Sequence, residues 1–250
     1  MPRPGSPPRR RQAIRNSAGL RAAAIVALIA AASPAAAQSY QCRAPRSVAV
    51  PEVERDGPVR TVPVAGYTLA LSWSPEFCKG RDGQARHRTQ CSGRNGRFGF
   101  VVHGLWPEGR TIWPQWCPTA RRVAPAEARR NLCVSPSAAL LARQWAKHGS
   151  CMVRKPETYF RVTRILWDSL DFPDMDRLSR REELTAGLIR KRFLLANPGW
   201  PKEAVGVHLN ERGWLEELQL CYAKDFRPTK CDRRRYGAKD EASVKVWRGL

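Results

Sequence analysis

The sequence predicts a fold of the α+β class, because its strand-like and helix-like stretches are segregated along the chain. Two early segments, YTLALSW and RFGFVVHGLW, have strand composition, and the first alternates so that Leu69, Leu71 and Trp73 share one face. Helix-like segments follow. Near the C-terminus, HLNERGWLEELQLCYAKD predicts a hairpin that turns between Asn210 and Gly213, and SVKVW predicts a short last strand. Runs of strands around clustered helices are typical of α+β proteins.

Three helices are predicted in the middle of the chain. The segment SAALLARQWAKH contains good helix formers, with Ser135 as a plausible N-cap and Gly149 as the stop. The segment ETYFRVTRILWDSL repeats apolar residues at helical spacing. The third helix, SRREELTAGLIRKRF, opens with a capping box from Ser179 to Glu182.

The N-terminus has the composition of an export signal. Six arginines precede the apolar run AAAIVALIAAA, and three consecutive alanines before Gln38 offer a cleavage site. A membrane anchor is the alternative, but the run is too short to span a bilayer. We therefore expect a signal peptide over 1–37, an N-terminal extension over 38–66 and one domain over 67–250. The mature protein is expected in the periplasm or outside the cell, with no membrane contact after signal removal.

The chain is strongly basic. It has 44 Lys and Arg against 22 Asp and Glu, a formal net charge of +22, and only six of the basic residues lie in the signal. Such a surface attracts polyanions, with nucleic acid first, acidic polysaccharide next and anionic membrane third. Charge that serves only solubility is the alternative.

Eight cysteines, all after the signal, predict disulfides in an exported chain. No CxxC pair is present, so a structural zinc site is not expected. Eight cysteines allow about 105 pairings, so spacing alone does not fix the bridges.

Two histidines stand where a cleft could form. His103 ends a strand-like apolar run, and His148 ends the first predicted helix. Gln144 and Lys147 precede His148 by four residues and by one, so all three can line one side of the helix end. Either histidine alone would more often be a hydrogen-bonded structural residue, which is also the interpretation for the two others, His87 and His208.

Taken together, two imidazoles and an ammonium group fit the cleavage of RNA through its own 2′-hydroxyl. That reaction needs a base for the 2′-hydroxyl proton, an acid for the leaving 5′-oxygen and positive charge beside the phosphorane. Histidines with pKa values near neutrality can supply the first two functions. Lys147 can supply the third.

The segments HGLWP (His103–Pro107) and QWAKHGSC (Gln144–Cys151) resemble the two active-site segments of the ribonuclease T2 family, secreted or periplasmic endoribonucleases with little base preference. LALSWSPEFC, WPQWC and LEELQLCYAKDFRPTKC strengthen the resemblance, which covers roughly Tyr67 to Cys231. It implies a single catalytic domain with a central, mainly antiparallel sheet, packed helices and disulfides.

The resemblance also implies functions for particular residues. His103 and His148 match the acid–base pair, Lys147 matches the lysine beside the phosphorane, and Trp106 matches a tryptophan that shapes the cleft. Two disulfides follow from it, Cys117 with Cys151 and Cys221 with Cys231. To these we add Cys78 with Cys91 and, for the two that remain, Cys42 with Cys133.

Two positions depart from the commonest family pattern. Arg143 stands where a phosphate-contacting histidine is usual, and Gln144 stands where a glutamate is usual. The planar fork of an arginine suits phosphate oxygens. An amide cannot carry a catalytic proton, but it can donate a hydrogen bond to a phosphate oxygen.

The sequence therefore predicts an exported, monomeric endoribonuclease without metal or cofactor, acting on single-stranded RNA to leave 2′,3′-cyclic phosphate ends. Trp113 and Trp116 are the preferred candidates for stacking on bases, ahead of Trp73, and packing in the core is their alternative. Three further arginines either follow the RNA backbone or form a solvated basic face: Arg110, Arg121 and Arg122. The alternative function is a non-catalytic binder of RNA or another polyanion on the same fold.

Overall fold

The computed structural model describes residue 1 and residues 39–249, so the predicted signal peptide lies, but for Met1, outside the described residues. Among these residues, the strands are β1 (Ser39–Tyr40), β2 (Gly66–Trp73), β3 (Arg97–Phe98), β4 (Phe100–Glu108), β5 (Val205–Leu209) and β6 (Leu215–Ala223). The helices are α1 (Ser74–Cys78), α2 (Arg88–Cys91), α3 (Pro125–Asn131), α4 (Ala138–Lys147), α5 (Pro156–Asp168), α6 (Met175–Ser179), α7 (Ala186–Ala196) and α8 (Arg233–Tyr236). No helix within the described ranges is long and apolar enough to cross a membrane.

The centre of the fold is a four-stranded antiparallel sheet with the strand order β4-β2-β6-β5. Alternate residues of its strands, such as Leu69, Leu71, Leu218 and Leu220, are buried in a single core cluster. Helices α4, α5 and α7 cover this face, while the opposite face carries polar side chains such as Glu217. One packed face and one polar face are usual for an antiparallel sheet. The predicted α+β class and central antiparallel sheet are confirmed.

The hairpin predicted near residues 210–213 joins β5 to β6. The side-chain oxygen of Asn210 accepts hydrogen bonds from the backbone N–H groups of Arg212 and Trp214, each at 3.0 Å. Gly213 takes a φ of +77°, which glycine adopts without steric cost. The turn therefore forms where an Asx turn and a glycine coincide.

Two predicted helix starts were wrong. Helix α4 is capped by Ser137, whose hydroxyl accepts the N–H of Leu140 at 3.2 Å, and Ser135 lies two residues before this cap. Helix α7 is capped by Thr185, whose hydroxyl accepts the N–H of Leu188 at 3.2 Å. Ser179, the predicted capping-box residue, is instead the last residue of α6. In each case a second hydroxyl further along the chain makes the capping bond.

The predicted last strand, SVKVW, was also wrong. Ser243 forms an isolated bridge with Thr185, and Lys245 forms an isolated bridge with Trp214, so this segment pairs briefly with two different loops. A strand needs several consecutive bonds to one neighbour, and neither loop offers them.

The eight cysteines form four disulfides, and the pairs agree with those expected from the sequence: Cys42–Cys133, Cys78–Cys91, Cys117–Cys151 and Cys221–Cys231. The third bridge ties the loop after β4 to the turn that follows α4. In the same place the N–H of Trp116 donates to the carbonyl of Lys147 at 2.8 Å. The loop and the helix end are therefore held together covalently and by a backbone hydrogen bond.

Candidate active site

His103 lies at an irregularity in β4. Ala70 of β2 pairs with Gly104, whereas the next residue, Leu71, pairs with Val102, so His103 is the extra residue of a β-bulge. A bulge changes the direction of a side chain relative to the regular alternation of a strand, and bulges are common beside active sites. The bulge keeps Val102 and Leu105 in the core although they are three residues apart. It leaves the His103 side chain 37% exposed.

The imidazole of His103 is held from behind by Glu217, a residue that the sequence analysis missed. Its Nδ1 atom lies 2.8 Å from Oε2 of Glu217 on β6, across the intervening strand β2. Glu217 also accepts hydrogen bonds from Ser72 at 3.2 Å and from Gln219 at 2.7 Å. Because Nδ1 is engaged, Nε2 is the nitrogen of His103 left for proton transfer.

The charge state of Glu217 favours this orientation. Burial raises the pKa of its carboxyl group, but the hydrogen bond and the charge of His103 outweigh burial, and the pKa lies below its ordinary value. Glu217 is therefore a carboxylate that accepts hydrogen bonds and does not donate one.

His148 follows the last residue of α4 and is only 9% exposed. Burial, together with the nearby charges of Lys147, His103, Arg235 and Arg143, lowers the pKa of its imidazole to about 3. Its Nδ1 atom is buried and makes no hydrogen bond within the part of the chain that the structure describes. His148 is therefore neutral at neutral pH and able to accept a proton.

Trp106 connects the two histidines. Its ring centroid lies 5.1 Å from that of His103, edge to face, and 5.8 Å from that of His148. Its indole N–H donates to Oε1 of Gln144 at 2.8 Å. The structure thus brings together His103, Trp106, Gln144 and His148, four of the residues proposed from the sequence.

The bond from Trp106 fixes which way the Gln144 amide faces. An indole N–H is a donor only, so the amide oxygen must be the atom that faces it. The NH₂ group of Gln144 is then directed away from Trp106 and can donate elsewhere. Gly104 makes room for this arrangement, because a Cβ atom at that position would overlap Oε1 of Gln144 and approach Nε1 of Trp106 to 2.6 Å.

Lys147 and Arg143 form a pair of cations one helical turn apart on α4. Both bind the carboxylate of Asp56, a residue of the N-terminal extension: Lys147 Nζ lies 3.2 and 3.4 Å from its two oxygens, and Arg143 Nη2 contacts Oδ2. The ring of Trp116 lies beneath them, with its centroid 5.7 Å from Lys147 Nζ and 5.8 Å from Arg143 Cζ. Asp56 was not recognised in the sequence because its partners lie about ninety positions further along the chain.

The aromatic candidates for base stacking differ in exposure. Trp116 is 7% exposed and Trp73 is 5% exposed, so both rings are buried and neither offers a free face. This corrects the expectation for Trp116, which supports Lys147 and Arg143 instead. Trp113 is half-buried between two guanidinium groups, with its centroid 4.2 Å from Arg60 and 4.7 Å from Arg234.

The remaining predicted residues lie as follows. Arg110, Arg121 and Arg122 are exposed, and Arg122 forms an ion pair with Glu52. His208 has its Nε2 2.9 Å from the carbonyl oxygen of Arg235, and the His87 ring packs edge to face on Phe77.

A cleft of about 760 Å³ adjoins His103 and Glu217. Its walls include three cations, Lys79, Arg81 and Arg212, and the polar side chain of Ser72. Among the described residues, no group of three or more His, Cys, Asp or Glu side chains is arranged to hold a metal ion. The site therefore combines two imidazoles, an indole, an amide and two cations, and of these groups the imidazole of His103 lines the polar cleft.

Comparison with known proteins agrees with this fold. A model of the ribonuclease T2 family matches residues 65–179. Among solved structures, trichomaglin, described as a novel S-like ribonuclease, superposes with a TM-score of 0.57 at 21% identity, covering 73% of this chain and 97% of that one. An RNase-related protein from Calystegia sepium superposes with a TM-score of 0.58 at 22% identity, covering 73% and 96%. At these identities the superpositions establish a shared fold.

Two relatives are similar in sequence. A probable ribonuclease of Haemophilus influenzae is 32% identical over 186 residues, which cover 69% of this chain and 62% of that protein. A ribonuclease of Aeromonas hydrophila is 41% identical over 85 residues, or 34% of this chain and 36% of that protein. The aligned part of the chain thus spans less than two thirds of either relative.

The fold and the site define a disulfide-linked α+β protein with two neighbouring histidines. The chain belongs to the ribonuclease T2 family.

Proposed function

We propose that this protein is an exported endoribonuclease that cleaves single-stranded RNA by attack of the 2′-hydroxyl on the adjacent phosphorus. The products would be a 2′,3′-cyclic phosphate and a free 5′-hydroxyl. The observation that carries the proposal is the placement of two histidines on either side of Trp106, with Lys147 next to one of them. The ribonuclease names of the two sequence relatives and the family match support it.

His148 is the base of the first step in this proposal. Because its pKa is lowered to about 3, it is neutral and can take the proton of the 2′-hydroxyl. The negative phosphate of a bound RNA raises the pKa of a neighbouring imidazole, which would make His148 a stronger base in the complex than in the free protein.

His103 is then the acid. Its Nε2 would give a proton to the 5′-oxygen as the phosphorus–oxygen bond breaks, while its Nδ1–H stays hydrogen-bonded to Glu217. The proton lost by the 2′-hydroxyl is thus matched by the proton gained by the leaving group. In a later hydrolysis of the cyclic phosphate the two histidines would exchange functions, with water as the nucleophile.

Three side chains of α4 would stabilise the phosphorane. Lys147 and Arg143 supply positive charge, and the NH₂ group of Gln144 supplies a hydrogen bond. Groups oriented in advance toward developing charge are usually the largest contribution to catalysis of this kind. We propose that no metal or cofactor takes part, because every proton and charge requirement of the reaction has a side chain to meet it.

RNA bases would stack on the exposed part of Trp113, beside Arg60 and Arg234. Two structural relatives were solved as nucleotide complexes, one RNase NT with 5′-AMP and one RNase MC1 variant with 5′-UMP, which is compatible with nucleotide binding on this fold. Stacking is tolerant of sequence, so we propose little base preference. We also propose that the protein acts as a monomer in the periplasm or outside the cell.

The test is to incubate the mature protein with single-stranded RNA in EDTA and to identify the new ends by phosphorus NMR. We expect cyclic phosphate ends, undiminished by EDTA, and no cleavage of DNA of the same sequence, because DNA lacks the 2′-hydroxyl. Cleavage of DNA at a comparable rate, or strict dependence on magnesium, would contradict the mechanism. RNA that binds tightly and stays intact would favour the alternative of a non-catalytic RNA binder.

A further inference from the structure

The N-terminal extension places an anion on the two cations that the proposed function assigns to the RNA phosphate. The carboxylate of Asp56 contacts Lys147 with both oxygens and Arg143 with one. Burial raises the pKa of Asp56, but its bonds to Arg143 and Lys147 and their charges outweigh burial, and the pKa lies below its ordinary value. Asp56 is therefore charged, and two anionic oxygens already occupy the position that two phosphate oxygens would need.

The chain around Asp56 is held in this position from both sides. On the N-terminal side, the disulfide Cys42–Cys133 fixes the start of the extension. On the C-terminal side, Arg60 and Gln115 exchange backbone hydrogen bonds of 2.9 and 3.0 Å, and the Gln115 side chain donates to the carbonyl of Pro58 at 2.9 Å. A tethered carboxylate has a high effective concentration at its cations, so it competes with a ligand that arrives from solution.

The ion pairs of Asp56 with Lys147 and Arg143 can also be broken at small cost. The side chain of Asp56 is 43% exposed, and residues 51–59 between the anchors form no helix or strand. Exposed ion pairs contribute little stability, so the carboxylate can return to water at small cost when a phosphate displaces it. Glu217 differs, because its own side chain is only 12% exposed and it accepts hydrogen bonds from three groups at once.

We propose that Asp56 is an intramolecular competitor of the RNA phosphate, and that the extension thereby limits the affinity of the site for its substrate. This inference rests on the proposed function for the identity of the displaced ligand. It differs from a positioning function, in which Asp56 would hold Lys147 and Arg143 ready for catalysis. Competition lowers affinity and leaves the turnover rate alone, whereas loss of positioning lowers the turnover rate.

The test compares Asp56→Asn with Glu54→Gln, a matched control that removes the same charge from an exposed side chain of the same segment. Inorganic phosphate is titrated at low ionic strength and followed through the imidazole NMR signal of His148, which can be assigned because the chain has four histidines. We expect Asp56→Asn to bind phosphate about threefold to tenfold more tightly than the wild type, from the removal of exposed ion pairs. Glu54→Gln should match the wild type.

The kinetics should change in the same sense. We expect Asp56→Asn to lower KM for RNA by a similar factor with turnover unchanged, and to steepen the dependence of log kcat/KM on log salt by about 0.7, the contribution of one contact to a single strand. Unchanged or weaker phosphate binding in Asp56→Asn, or equal tightening in Glu54→Gln, would overturn the inference. A thermal melt shows that both variants are folded, and Asp56→Ser serves as a second replacement.

Phosphate binding separates this inference from the proposed function. If neither protein cleaves RNA but Asp56→Asn alone binds phosphate more tightly, the competition stands and the ribonuclease activity does not.

Discussion

The indole N–H of Trp106 donates a 2.8 Å hydrogen bond to the amide oxygen of Gln144. This bond joins the strand that carries His103 to the helix that His148 follows, and it leaves the amide NH₂ free to donate elsewhere. A glutamate at position 144 could accept the same bond but could donate only when protonated. The glutamine therefore links the strand to the helix through a group that does not titrate.

Gln144→Ala should lower the turnover rate on RNA at least about tenfold with only a modest change in KM. Removal of one oriented donor costs about 10² to 10³-fold in acyl-transfer enzymes. An interaction made mainly in the transition state affects turnover rather than binding. Steady-state kinetics on a defined oligonucleotide measure both constants. Wild-type turnover would show that Gln144 is not part of the catalytic machinery and that Lys147 acts without it.

Gln144→Glu should retain substantial activity and move the pH profile. A carboxylate beside His148 stabilises the protonated imidazole and so raises its pKa. Since the base must be neutral, the acidic limb of kcat/KM should move to higher pH than in the wild type. Profiles from pH 4 to 9 for the two proteins decide this. An identical acidic limb would mean that His148 does not sense residue 144.

The wild-type pH profile follows from the burial of His148. Its pKa is lowered from 6.5 to about 3, so the proton acceptor is available well below pH 6.5 and is lost only as pH falls toward the lowered value. Because an acid is also required, the full profile of log kcat/KM should be bell-shaped. We expect its acidic limb below pH 6.5. A monotonic rise to pH 9 would contradict a mechanism with one neutral and one charged histidine.

Replacement of either histidine should remove most of the activity. His103→Ala and His148→Ala should each reduce turnover by about 10² to 10⁴-fold, the usual contribution of a general acid or base. His208→Ala is the control, because that imidazole contacts the backbone of Arg235 and not the proposed reacting groups. The variants should be compared on RNA after their folds are verified by circular dichroism. Near-full activity of a folded His103 or His148 variant would make that histidine structural.

The sequence was enough to propose the residues of the candidate site, but not to fix the ends of elements. His103 and His148 could be proposed because each stands in a short, dense motif whose chemistry is local. Helix starts could not be fixed, because Ser135 and Ser137 are equally good caps by composition and only tertiary packing selects Ser137. Glu217 and Asp56 could not be found, because their functions depend on partners more than eighty positions away that only the folded chain brings near.

The packing around Gly104, the glycine after His103, could not be predicted from the sequence either. The motif HGLWP shows that Gly104 is present but not why, and the structure supplies the reason. Gly104→Ala should lower turnover at least about tenfold and reduce thermal stability, because its methyl group would separate Trp106 from Gln144. Overpacking of this kind typically costs about 1–3 kcal/mol. Gly83→Ala is the control, since nothing lies within 4 Å of its Cβ position. Equal losses of turnover and thermal stability in the two variants would show that the close approach of Gly104 to Trp106 and Gln144 does not matter for function.

The contact between His103 and Glu217 gives the last prediction. Glu217→Gln keeps the size of the side chain but replaces one carboxylate oxygen by a donor, so it can no longer accept from His103, Ser72 and Gln219 together. A carboxylate that orients a catalytic imidazole contributes greatly in other enzymes, with losses near 10⁴-fold when it becomes an amide. His103 is partly exposed here, and we expect a loss of turnover of at least about tenfold. KM should change little, because Glu217 lies behind the imidazole.

The pH profile of Glu217→Gln should also differ from that of the wild type, which a purely structural function of Glu217 would not require. Glu211→Gln, which changes an exposed carboxylate in the turn between β5 and β6, is the matched control and should leave both turnover and profile unchanged. If Glu217→Gln is as stable as the wild type and shows the wild-type profile and turnover, His103 does not depend on this carboxylate for its orientation.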